Sequence, residues 1–158
     1  MKFQFNPPQP DEPARIGRRL AGLVYDIFPM LALWFVTVVI ALALHYGRLK
    51  VMHGDAFAMG HAAILPGSWE SWLLFFALFG ITGVYATASW RRGGQTIGMK
   101  PFHGYVLDLD GQFASLRQLW VRYLVGIVAI PFGFWVALFR ADRLTLHDLV
   151  SGTRFVKR

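Results

Sequence analysis

Residues 15–44 read RIGRRLAGLVYDIFPMLALWFVTVVIALAL, and the reading of this stretch decides the fold class. Three arginines open it, and the 25 residues from Leu20 to Leu44 then carry a single charge, Asp26. About 20 consecutive apolar residues cross the ~30 Å hydrocarbon core of a bilayer as a helix. The segment 20–44 is therefore expected to be a transmembrane span. A carboxylate inside such a run is costly unless it is paired, protonated or hydrated. Pro29 cannot donate to the carbonyl of Tyr25, so a freed carbonyl is expected beside Asp26. Arg19 and Asp26 lie about two helical turns apart on one face, and Arg18 faces a similar way. Two readings of this acid stand side by side: half of an ion pair that fixes the helix, or a functional intramembrane group.

Composition extends the membrane reading to the whole chain. Of 158 residues, 55% are hydrophobic and 16% charged, whereas a soluble domain carries roughly a quarter charged residues. A disordered tail over 1–13, with four prolines, and one membrane domain over 14–158 are expected. The net charge of +7 belongs to the flanks of membrane spans, because no long basic run is present and no nucleic-acid partner is implied. Cysteine is absent, which excludes a disulfide framework, a thiol nucleophile and a cysteine-based metal site. The first apolar segment is too long for a signal peptide and lacks a small-x-small cleavage site, so an uncleaved span is expected.

Beyond the first span, residues 45–68 read as a polar loop holding His45, His53 and His61. Spacings of eight with Gly54 and Gly60 between fit no metal motif, so solvated histidines and no metal or other cofactor are expected. A second span is expected over 69–90, with Trp69, Trp72 and Trp90 at its ends as an aromatic belt. Gly80, Gly83, Thr82, Thr87 and Ala88 give that span a close-packing face, and its threonines and Tyr85 offer hydrogen bonds across it. Gly93–Lys100 lacks the spacing of a phosphate-binding loop. GYVLDLDGQFA reads as a β-hairpin turning at Asp110–Gly111, and Ser115 with Gln118 forms a capping box for the next helix. The third apolar segment, 116–139, carries Arg122 near its start and holds Gly126, Pro131 and Gly133, so two half-helices and one span fit it equally. The tail reads as a short helix over 143–150, ended by Gly152, and then a strand, TRFVKR, that partners the hairpin.

Charge sets the expected topology. Lysine and arginine number four in residues 1–19, two in 45–68, four in 91–118 and five in 140–158. The positive-inside rule places the first, third and fourth of these in the cytoplasm. Three complete spans would put the tail on the opposite side from 91–118, so the third segment is expected to be broken and re-entrant; the rival is a complete third span with the tail outside. The fold class is thus an all-α membrane protein with two full transmembrane helices, a broken third apolar segment, and a small cytoplasmic β-hairpin joined by a C-terminal strand. A multi-pass membrane location with a cytoplasmic N-terminus follows. A cytoplasmic tail would bring Asp148 towards Arg19 and Asp26 as one charge cluster, with Arg18, Arg122 and His147 in support.

These motifs resemble the RDD family of small bacterial membrane proteins. RRLAGLVYD is similar to the family's first-helix pattern and carries its arginine onto Arg19 and its first aspartate onto Asp26. GQTIGMK followed by VLDLDGQ resembles the middle segment, and LHDLVSGTRFV the closing one, which makes Asp148 the second aspartate. Pro101 departs from the apolar residues usual at that point. The resemblance covers about residues 15–157 and implies a bacterial inner-membrane location and a membrane role for which transport has been suggested.

Three functions compete. In the first, the chain is a transporter or transporter component for a small ligand or monovalent cation and proton. Asp26 is then the exchanging site and Asp148 stands at the cytoplasmic mouth. Two or three spans are too few to enclose a path, so a homo-oligomer or a membrane protein partner is implied besides the lipid bilayer. In the second, the chain is a structural or accessory subunit of a larger membrane complex, and its arginine–aspartate cluster stabilises the fold. The third, an enzyme, is disfavoured because no nucleophile elbow or HExxH frame exists, and no catalytic residue is assigned.

Overall fold

A computed structural model describes residues 16–139 and 144–157. The expected disordered tail over 1–13 lies outside the described residues, as do Arg15 and residues 140–143. In chain order the elements are α1 (Ile16–His53), α2 (Asp55–Gly60), α3 (Trp69–Gly93), β1 (Gly104–Asp108), α4 (Leu116–Phe139), α5 (Leu146–Ser151) and β2 (Thr153–Lys157). A 3-10 turn, Lys100–Phe102, leads into β1.

Among the described residues two helices, α1 and α3, are long and apolar enough to cross a membrane, with mean hydropathies of 2.6 and 1.6 over their most apolar stretches. The core helix of a soluble protein would bury such a stretch. None of that of α1 is buried here, and Phe28, Phe35 and Leu44 are about 70% exposed. Lipid is the medium that covers side chains of this kind.

Helix α1 continues nine residues past Leu44, to His53, so the first part of the expected polar loop is helical. HYGRLKVMH contains no proline, and Lys50 and His53 place positive charge in the last turn, where the helix dipole favours it. Gly54, at φ 87°, ends the helix. Pro29 lies within α1, which passes through it without interruption.

The chain divides into two compact units. One is Phe28–Thr82. Within it, Trp34 Nε1 donates to Thr82 Oγ1 at 2.8 Å, and Thr82 donates to the Leu78 carbonyl. Arg48 pairs with Glu70 and lies 4.9 Å from the Trp69 ring. The histidines are engaged locally rather than converging. His61 stacks on Phe57 at 4.0 Å, and His45 Nε2 lies 3.3 Å from the His61 carbonyl. No cluster of three metal-ligating side chains occurs among the described residues.

The other unit joins Met1–Ile27 with Gly83–Arg158. Its small core is Met99, Val106, Ala114, Leu119 and Phe155, with Trp90 against it. Strands β1 and β2 pair antiparallel, Gly104 opposite Lys157 and Asp108 opposite Thr153. The tail strand is therefore the partner of β1, as expected. The expected hairpin is not formed. Asp108 and Gln112 close a turn around Gly111, at φ 81°, and the return strand does not follow. Both edges of β1 are engaged: β2 takes one, and the Val106 N–H donates to the Gly94 carbonyl at 2.7 Å.

The expected break in the third apolar segment is absent as well. Helix α4 runs as one element of 24 residues through Pro131 and Gly133. Proline removes one hydrogen bond, to the carbonyl four residues back, but its φ of about −65° is helical. Helix α4 is about 36 Å long at 1.5 Å per residue. The tail still returns to its start: Gln118 Nε2 donates to the Gly152 carbonyl at 3.2 Å. The capping box at that start is present, with Ser115 N donating to Gln118 Oε1 at 2.8 Å and Gln118 N donating to Ser115 Oγ at 3.3 Å.

Candidate functional site

The sequence TLHD builds the first centre. Thr145 caps α5, and Asp148 is the third residue of that helix. The Thr145 N–H donates to Asp148 Oδ2 at 3.0 Å, which completes a capping box and fixes the carboxylate's direction. Gly152, at φ 63°, ends α5 and starts β2. The strand pairing therefore anchors α5, and with it Asp148, beside the starts of α1 and α4.

Two arginines meet this carboxylate, one at each oxygen. Arg19 Nη1 of α1 donates to Oδ2 at 2.5 Å, and Arg122 Nη1 of α4 donates to Oδ1. Asp148 is fully buried, and Arg19 and Arg122 are 5% and 4% exposed. Arg122 also donates to Thr153 Oγ1 at 2.7 Å, and Thr153 shares a hydrogen bond with Ser151 Oγ. Each guanidinium lies near a ring as well: Arg19 is 5.0 Å from Phe155 and Arg122 is 5.5 Å from Trp90. A Cβ at Gly104 would run into the Phe155 ring, so that glycine makes room for the ring.

Burial alone would push the Asp148 carboxyl up. The charges of Arg122 and Arg19 outweigh it and hold the group well below the usual carboxylate range. His147 goes the other way from an ordinary histidine. Burial, and then the neighbouring Arg122, push it down to about 3, so it is neutral at pH 7. Its ring nitrogen, 2.9 Å from Thr145 Oγ1, orients the cap, and its 4.0 Å approach to Asp148 is not an ion pair at that pH.

Asp26 stands in a second centre, seven residues or about 10 Å further along α1. Tyr85 of α3 donates to its Oδ1 at 2.8 Å, the Gly98 N–H donates to the same oxygen at 2.9 Å, and Thr96 Oγ1 donates to Oδ2. Tyr85 is itself held by the Ile97 N–H at 3.2 Å. The loop GQTIGMK thus wraps the acid with backbone and hydroxyl donors. The fit is close at Gly98, where a Cβ would strike the Asp26 backbone nitrogen and lie 2.8 Å from the carboxyl carbon. Asp26 is 5% exposed and makes no ion pair among the described residues.

The expected single cluster is therefore two. Arg19, Arg122, Asp148 and His147 come together, and Asp26 does not join them. Arg18 is directed elsewhere, donating to the Phe102 carbonyl at 2.7 Å, next to the edge contact of Tyr25 with Phe102. Tyr85, Thr96 and Gly98 were not anticipated as partners of Asp26. The two glycines flanking Thr96 were the available signal, since they mark a loop that approaches another backbone closely. Thr145 was also missed, although T-x-x-D before an apolar run is a legible cap.

The RDD family matches the chain over residues 13–152. Neither a curated protein nor a solved structure matches it.

Proposed function

From the premise that the chain belongs to the RDD family and is a membrane protein, we propose that it serves as a structural or accessory subunit of a larger membrane assembly. The charged residues then hold the fold. The observation that carries this reading is the saturation of Asp148: both oxygens are taken by buried arginines, and none of the side chain is exposed. A carboxylate so enclosed clamps the tail onto the starts of α1 and α4 and leaves no place for a visiting ion. The apolar faces of α1 and α3 supply the surface for lipid and for partner helices. Purification in mild detergent tests this. A stable heteromeric partner is expected, and a homo-oligomer that alone drives cation-dependent proton movement refutes it.

A transport role has one observation in its favour, the burial of Asp26 in an apolar helix without an ion pair among the described residues. Its test is Asp26→Asn in everted vesicles, where loss of cation-driven proton movement would support transport. Against it, three donors already converge on this carboxylate, whereas a cation site needs acceptors.

The proposed orientation sets the N-terminus and the β1–β2 sheet in the cytoplasm of a bacterial inner membrane. Arg18, Arg19, Arg91, Arg92 and Arg117 stand at the ends of α1, α3 and α4 nearest that sheet and Lys100 in the turn that leads into it, as the positive-inside rule requires of a cytoplasmic face.

A further inference from the structure

An open groove of about 310 Å³ lies between α3 and α4. Val84, Thr87, Ala88, Arg91 and Arg92 form its α3 wall, and Leu116 and Trp120 form its α4 wall. The α3 positions recur at three and four residues and so share one face of the helix. That face changes character along its length. Val84 and Ala88 are apolar, and the Thr87 hydroxyl is turned back to the Gly83 carbonyl at 2.7 Å. The two arginines follow in the last turn, one turn beyond Thr87 and Ala88 and about 11 Å beyond Val84 at 1.5 Å per residue.

The two helices touch closely at Gly83, one residue before this face begins. A Cβ there would lie 2.6 Å from the Trp120 ring and 2.7 Å from that of Tyr123. The groove is thus an apolar slot narrowed at one end by Trp120 and lined with cations at the other. Arg91 Nη1 makes a long hydrogen bond to the Ala114 carbonyl, at 3.3 Å, and Arg92 is exposed. Neither arginine forms an ion pair among the described residues.

We propose that this groove binds an anionic phospholipid of the surrounding bilayer. One acyl chain lies along Val84, Ala88 and Trp120, and the phosphate is held by Arg91 and Arg92. The apolar slot excludes a purely polar ligand. Guanidinium groups recognise phosphate oxygens through paired N–H donors, and basic pockets between membrane helices select acidic head groups. A zwitterionic lipid offers the same chains but carries a cation of its own towards the arginines.

Native mass spectrometry of the detergent-purified protein, with phosphatidylglycerol and phosphatidylcholine of identical chains, tests this. The wild type should retain phosphatidylglycerol about thirtyfold more strongly, as two guanidiniums near the head group imply. Arg91→Gln with Arg92→Gln should abolish the preference, and Arg92→Gln alone, at an exposed position, should weaken it without altering thermal unfolding. Ala88→Leu fills the slot with the charges intact and should lower retention of both lipids. Equal retention of the two lipids by the wild type overturns the proposal without recourse to any variant. A preference that survives the double substitution also overturns it. So does displacement of the lipid by dissolved glycerol phosphate, which would leave the slot without a role.

Discussion

Replacing Asp148 by Asn keeps the side chain's size and removes its charge, so it isolates what the carboxylate does. In the wild type this group accepts from Arg19, Arg122 and the Thr145 N–H, entirely out of solvent. The amide can accept at one oxygen only and turns its NH2 towards a guanidinium. One arginine, about 95% buried, is then left facing a donor. Breaking a buried pair by removing one partner costs about 3–5 kcal/mol, chiefly because the surviving charge stays desolvated. Two guanidiniums share this carboxylate, so the upper half of that range is expected for Asp148→Asn. The same change at Asp26 meets three uncharged donors, two on one oxygen that the amide retains, and the Thr96 hydroxyl can rotate to accept from it. There the loss is about 1–2 kcal/mol, the value of roughly one hydrogen bond. Reversible unfolding in detergent mixtures, followed by circular dichroism, measures both. Limited proteolysis should in addition show the β1–β2 segment released first in Asp148→Asn. If Asp148→Asn lies within 1 kcal/mol of wild type, or if Asp26→Asn costs more, the clamp is not what holds this end of the molecule.

Further expectations follow from the same geometry. His147 is held at about 3 in the folded chain against 6.5 when unfolded, so the unfolded state binds more protons as the pH falls and stability declines. Between about pH 6.5 and pH 5 the loss should be about 2 kcal/mol, and His147→Gln should flatten it; Asp148 contributes nothing in that window because it is ionised in both states. Gly98→Ala forces a methyl group against Asp26 and the Gly22 carbonyl and should cost more than about 2 kcal/mol, while Gly80→Ala, with open space around it, should be neutral or mildly stabilising on thermal unfolding. A cysteine introduced at the exposed Lys157 of this cysteine-free chain should react with a membrane-impermeant maleimide only in everted vesicles. Labelling confined to intact cells would reverse the orientation.

Much of the architecture was legible in local pattern. The apolar runs over 20–44 and 69–90 identified α1 and α3, because helix length and bilayer thickness are matched by composition alone. Ser115 with Gln118 marked the start of α4, Gly152 the end of α5, and TRFVK the strand that pairs with β1. Errors arose where a local signal competed with something distant. Asp110–Gly111 is a sound turn, but the strand expected after it found the edges of β1 already taken by Gly94 and by a segment some fifty residues on. Pro131 and Gly133 are sound breakers, yet in an apolar helix the loss of one hydrogen bond did not end α4.

Residues 15–44 by themselves determined a helix long and apolar enough to cross a membrane, with arginines at its start and an acid inside it. Helical periodicity put Arg19 and Asp26 on one face, two turns apart, and invited their pairing. Only the tertiary structure decided that they do not pair. Arg19 reaches Asp148, 129 positions away, and Asp26 takes Tyr85, Thr96 and Gly98, 59 to 72 positions away. Periodicity fixes where a side chain stands on its own helix. Which charge or donor stands opposite depends on the return of distant chain, and here the β1–β2 ladder, the α5 cap and the glycines at 94 and 98 set that return.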